Sequence, residues 1–219
     1  MSWISSSVGK KVAMSLSALF LISFLLLHVA INFLSVISKD MYNEASHFMG
    51  YNPIIQFVMQ PILISGVIFH FVLGFVLEFQ NKSARPVPYV MKNSAANSSW
   101  ISRNMLYSGL VILAFLGVHF YDFWIHEINY KYLTDQVPNE ARYFSELVEK
   151  FKDPLRVGFY VLSFVLLMLH LLHGFQSAFQ SLGVNNKFSP IIKKAAMTFS
   201  YVVPLAFIFI ALYHHFTHY

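Results

Sequence analysis

The stretch VLLMLHLLHGF, residues 165–175, sets two histidines, His170 and His173, three positions apart in an otherwise almost wholly apolar run. A run without a polar face belongs either in the middle of a large core or in a membrane. Composition decides between them: 57% of the 219 residues are hydrophobic, only 11% are charged, and mean hydropathy is +0.56. Ordinary soluble domains carry about 25% charged residues, so the chain reads as an integral membrane protein. Its apolar segments use nearly the whole length, which leaves no room for a separate soluble catalytic domain and places function in the bundle. There is no cysteine, which excludes disulfide frameworks, thiolate metal sites, iron–sulfur ligation and cysteine nucleophiles. Histidine, with ten copies, becomes the main candidate ligand.

Working outward, five apolar runs are long enough to span a hydrocarbon core of roughly 30 Å, which takes about 20 helical residues. They fall at about 11–38, 54–80, 103–128, 155–181 and 191–217. The expectation is a single all-α transmembrane domain over residues 1–219, a five-helix bundle. Pro53, Pro154 and Pro190 stand at or just before three starts, where a proline costs no helical hydrogen bond. Pro61 and Pro204 lie inside spans and are expected to kink them. The first run follows Lys10 and Lys11 but is too long for a signal sequence and lacks a small-residue cleavage site, so it is expected to be retained.

Loop charge sets the expected orientation. Lys10, Lys11, Lys82, Arg85, Lys92, Arg103, Lys187, Lys193 and Lys194 gather on one side with only Glu78 as an acid nearby. The remaining six basic residues lie opposite, mixed with Asp40, Glu44, Glu127, Asp135, Glu140, Glu146, Glu149 and Asp153. The positive-inside rule then puts the N-terminus in the cytoplasm and the C-terminus outside, as in a bacterial inner membrane. In YFSELVEKF, Phe144, Leu147, Val148 and Phe151 share one helical face, which suits a helix lying flat on the outer surface, although a plain outer loop is nearly as good a reading. No internal repeat, low-complexity tract, Walker loop, dinucleotide fingerprint or zinc-protease pair is present.

Four spans carry a histidine: LLLHVAINF (His28), VIFHFVLGF (His70), LGVHFYDFW (His119) and LMLHLLHGF (His170, followed by His173). One such histidine is more often an interhelical hydrogen bond than a ligand, but four on consecutive spans point to function, because ionisable groups in hydrocarbon are costly. Counted along the helices, His28 lies about 26 Å from Lys11 and His119 about 24 Å from Arg103, one level towards the outside. His70 lies about 18 Å from Lys82 and His170 about 20 Å from Gly183, a second level nearer the cytoplasm. Two pairs at matched depths are what two six-coordinate b-type haems need. Gly66 and Gly74 flank His70, and Gly117 and Gly174 lie near His119 and His170; they leave room for a porphyrin or, equally, for helix packing. Depth favours His170 over His173 as the ligand, with His173 as a pocket, propionate or partner-contact residue. By depth or charge, Ser15, Lys11 and Arg103 are propionate candidates. His126, His214, His215 and His218 fall near the outer surface and are expected to be hydrated.

With these residues in order, the chain resembles the single-chain, five-helix, dihaem cytochrome b anchor of succinate dehydrogenases and fumarate reductases. The resemblance runs from SALFLISFLLLHVAINF through NEASHFMGYNP and PILISGVIFHFVLGFVLEF to LHLLHGFQSAFQSLG. It implies that His28 and His119 hold the iron of an outer haem and His70 and His170 that of an inner one. It also implies a flavoprotein and an iron–sulfur subunit docked on the cytoplasmic face, near Lys82, Arg85 and Lys92, and a membrane quinone, often menaquinone. Succinate or fumarate chemistry then belongs to a partner chain and quinone chemistry to this one, with His47 and Glu44 as quinone-site candidates. Dimerisation of the whole complex stays open. Some fumarate reductase relatives carry a glutamate two residues before the fourth-span ligand, where this chain has Met168, which cannot carry a proton. Two other readings remain: the dihaem anchor of a hydrogenase or formate dehydrogenase, and a haem-free transporter or anchor.

Overall fold

A computed structural model describes residues 6–83, 104–134, 139–184 and 186–218 of the chain. All the regular structure of the described residues is helical. Five helices are long and apolar enough to cross a membrane: α1 (Ser7–Ile37), α3 (Ile55–Ser83), α4 (Met105–Tyr132), α6 (Pro154–Ser181) and α7 (Ser189–Thr217). Their limits agree with the sequence-based spans to within a few residues. Among the described residues two shorter helices, α2 (Lys39–Tyr51) and α5 (Arg142–Lys152), lie in the connections.

Local chemistry sets the helix ends. Ser6 caps α1 by accepting from the Gly9 amide at 3.0 Å, and Ser38 breaks α1 from α2 while accepting from the Met41 amide at 3.4 Å. Asp153 accepts from the Leu155 amide at 2.9 Å and Pro154 follows at the first helical position of α6, the arrangement both residue types favour. Pro61 and Pro204 behave differently from each other. Pro204 lies inside α7, whereas Pro61 follows a π-helical turn, Ile55–Met59, that opens α3. A second π segment, Phe120–Ile125, interrupts α4 directly after His119. Each widens the helix by one residue per turn and re-aims the side chains beyond it.

α1, α3, α4 and α6 form a ring in which neighbours touch in the order α1–α3–α4–α6–α1, and α7 packs outside against α1 and α6. α1 therefore stands across the ring from α4, and α3 from α6. α3 contributes no buried residue, while the tightest packing lies between α6 and α7 around Tyr160, Phe164, Val203, Phe207, Ile210 and Ala211. Lys10 of α1 donates to Gln80 at the end of α3 at 3.0 Å, which joins one end of the bundle.

At the other end α2 and α5 close the bundle. Leu147, Val148 and Phe151 of α5 are buried against α2, α6 and α7. The apolar face predicted for the YFSELVEKF stretch therefore packs on protein instead of lying in the interface. The buried Asn43 of α2 accepts from the Phe144 amide at 2.8 Å.

Candidate functional site

The four spanning histidines stand on helices that face each other across the ring. His28 of α1 and His119 of α4 face each other with ring centroids 5.7 Å apart and planes at 87°. Two imidazoles this close would be able to hold one metal-containing group between them. Aromatic rings surround the pair: Phe24 and Phe207 lie 5.3 and 5.6 Å from His28, and Phe115 and Phe123 lie 5.5 and 5.2 Å from His119. His119 Nδ1 is buried and makes no hydrogen bond among the described residues, and His28 Nδ1 has only the Asn32 amide at 3.5 Å. A buried imidazole nitrogen without a partner is costly, so this pair suits a bound group better than a closed apolar core.

His70 of α3 and His170 of α6 stand on the two helices of the other diagonal. His70 Nδ1 lies 3.0 Å from Ser17 Oγ of α1, and His170 Nδ1 lies 3.1 Å from Ser108 Oγ of α4. No hydrogen bond of the described residues engages Nε2 of either ring. His173, one turn beyond His170, is half-buried and makes no hydrogen bond among the described residues. An apolar groove of about 360 Å³ runs beside Ser17 between α1 and α3, lined by Leu16, Phe20, Ile62 and Phe69 among others.

The remaining candidates separate. Ser15 is buried, but its hydroxyl donates to its own helix at Lys11 O, 2.9 Å away, and the Lys11 side chain is exposed. Arg103, with Arg85 and Lys92, lies outside the described residues. The glycines flanking His70 are filled by protein: a Cβ at Gly66 would meet Phe20 at 2.7 Å and one at Gly74 would meet Met14 at 3.5 Å. Gly174 abuts Met105 in the same way, and Gly117 is exposed. Gly66, Gly74 and Gly174 thus face protein side chains, whereas Gly117 faces open space.

His47 stacks on Tyr51 at 4.4 Å and pairs with Glu140 at 3.5 Å, with its Nδ1 buried and unpartnered among the described residues. Glu44, one turn earlier on α2, is exposed. The hydration expected of His214 is wrong. It is fully buried, and its Nε2 lies 2.8 Å from Ser35 Oγ. His215 Nδ1 is 2.8 Å from Phe151 O, and His126 pairs with Glu146 at 3.4 Å.

Two charged clusters had no counterpart in the sequence reading. Asp122, in the π segment of α4, is buried; it accepts from the Tyr160 hydroxyl at 3.0 Å and pairs with Arg156 at 3.2 Å. At the closed end Arg142 reaches both Glu127 and Glu146, the latter at 2.8 Å, while Lys131 holds Glu127 at 2.7 Å. Burial works against the Arg142 charge, but the hydrogen bonds to Glu127 and Glu146 outweigh it, and the guanidinium is held above its ordinary range. Gly50 admits this cluster: a Cβ there would stand 3.1 Å from Glu127 and 3.2 Å from Lys131.

No family model, curated protein or solved structure matches the chain. Its functional reading therefore rests on the geometry above and on the sequence resemblance.

Proposed function

We propose that the chain is a dihaem cytochrome b anchor of a succinate:quinone oxidoreductase, linking an iron–sulfur partner to membrane quinone. The observation that carries the haem reading is that His28 and His119 face each other across one diagonal of the ring, while His70 and His170 stand on the two helices of the other diagonal. Haem b between two imidazoles supplies a one-electron carrier with no open coordination position. His28 and His119 would hold the outer group, with Phe24, Phe115, Phe123 and Phe207 as its apolar walls. His70 and His170 would hold the inner one. The whole-chain resemblance supports the assignment to succinate and quinone chemistry, with a flavoprotein and an iron–sulfur subunit on the cytoplasmic side and menaquinone or another quinone as substrate.

A haem-free bundle is the competing reading, because Ser17–His70 and Ser108–His170 are interhelical hydrogen bonds in their own right. Haem quantitation with a reduced-minus-oxidised spectrum on chain purified from its native membrane decides between them. About two b haems per chain are expected, and none would end the proposal. Co-purification of flavoprotein and iron–sulfur subunits tests the succinate assignment separately from the haem assignment. A hydrogenase or formate dehydrogenase subunit in their place would move the chain to another respiratory enzyme.

A further inference from the structure

We propose that Ser17 and Ser108 are positioning residues that fix the tautomer of His70 and His170, placing the proton on Nδ1 and leaving the Nε2 lone pair available. The argument is a count of protons. A serine hydroxyl has one. Ser17 Oγ donates its proton to Met14 O at 2.8 Å, and Ser108 Oγ donates its proton to Met105 O at 2.9 Å. Each oxygen can then only accept at the imidazole it touches, so His70 and His170 must donate from Nδ1. A neutral imidazole protonated at Nδ1 carries its lone pair on Nε2. Metal-ligating histidines are held in this way by an acceptor behind the ring.

The two serines are equivalent by more than chemistry. Ser17 lies eleven residues before His28 on α1, and Ser108 lies eleven residues before His119 on α4. Eleven residues make about three helical turns, so each serine shares a face with its histidine, about 16 Å away along the axis. α1 and α4 thus each supply one histidine at the outer level and one acceptor to a histidine at the inner level. The chain contains its own counter-example. Ser35 Oγ donates to Asn32 O at 2.6 Å and meets His214 at Nε2, not Nδ1. The same proton count gives His214 the opposite tautomer.

What the two lone pairs bind rests on the haem reading above, but the tautomers do not. ¹⁵N-histidine NMR on the full chain in lipid bilayers, prepared without haem, is expected to show His70 and His170 protonated at Nδ1 and His214 at Nε2. Ser17→Ala should abolish the Nδ1 preference of His70 alone and Ser108→Ala that of His170 alone, while Ser17→Thr and Ser108→Thr keep it.

In haem-loaded chain, losing the acceptor makes the imidazole a weaker donor. Either alanine variant should then raise the inner haem's midpoint potential, leave the outer one in place, and weaken inner-haem retention roughly ten- to a hundredfold. Nε2 protonation of His70 and His170, or tautomers indifferent to both alanine changes, would overturn the inference. A chain that binds no haem in any preparation, with the tautomers as stated, would sink the haem reading and leave the serine assignment standing.

Discussion

At the scale of single residues, the histidines divide by what stands behind each ring. His70 and His170 meet a serine hydroxyl at Nδ1, His119 has no partner there among the described residues, and His214 is held at Nε2. His214 is the one whose role the sequence misassigned. Its position near the end of α7 suggested water, but Ser35, 179 residues earlier, covers it. Nothing local to FIALYHHF marks which of its histidines turns inward, because burial there depends on where α1 ends. His214→Ala would open a cavity and leave the Ser35 lone pair unmatched, so it should cost roughly 2–4 kcal/mol. His214→Gln, which keeps a donor and most of the volume, should cost less. Thermal unfolding in detergent checks both. An unchanged midpoint for the alanine variant would mean that the Ser35–His214 contact contributes nothing.

At the scale of the element, the decisive departure from a regular helix is the π segment Phe120–Ile125 of α4. It follows His119 at once and brings Asp122 into the interior, where Tyr160 and Arg156 of α6 meet the carboxylate. A buried carboxylate survives only with such partners. Arg156 is partly exposed, so the pair is screened on one side. Arg156→Ala should therefore destabilise by about 1–3 kcal/mol, below the full penalty of an orphaned buried charge. Asp122→Asn should relieve much of that loss, giving a coupling of about 1–2 kcal/mol in a double-mutant cycle measured by detergent unfolding. Additive effects of the two changes would show that the ion pair does not hold α4 to α6. The five spans were legible because apolar length is a property of composition, readable one residue at a time. The π segment was not, since FYDFWI has no pattern that separates it from α-helix; only the acid amid aromatic residues hinted that Asp122 needed a partner on another span. The Ser17 and Ser108 acceptors were half legible. Their recurring distance from His28 and His119 is in the sequence, but a serine in a helix ordinarily bonds its own backbone, and only the packing of α1 on α3 and α4 on α6 shows the second contact.

At the scale of the whole molecule, the ring of α1, α3, α4 and α6 turns two levels of histidine into two independent sites. Each diagonal uses a different pair of helices, and because His70 meets Ser17, eleven residues before His28, the levels lie about 16 Å apart by helical rise, wider than the roughly 6 Å that counting from the helix ends gives. Hydrophobic burial does not drive helices together in lipid, so polar contacts and any bound group must do more of the holding. α3 has no buried residue and is tied to α1 by His70 through Ser17, so it should be the helix most sensitive to loss of the inner pair. His70→Ala or His170→Ala is therefore expected to remove the inner haem and loosen α3, with about half of the b-type absorbance retained in the outer site. His28→Ala or His119→Ala is expected to remove the outer haem alone, because α1, α6 and α7 still pack directly through Phe164, Val203 and Phe207. Difference spectra give the haem count, and hydrogen exchange at α3 gives the loosening. Loss of both haems from every single substitution would mean one shared site. Retention of both in all four variants would mean that these imidazoles are not the ligands. If α3 exchanges no faster after His70→Ala than after His28→Ala, the inner pair does not anchor that helix, and the contacts of Phe20 with Gly66 and of Lys10 with Gln80 are enough to hold it.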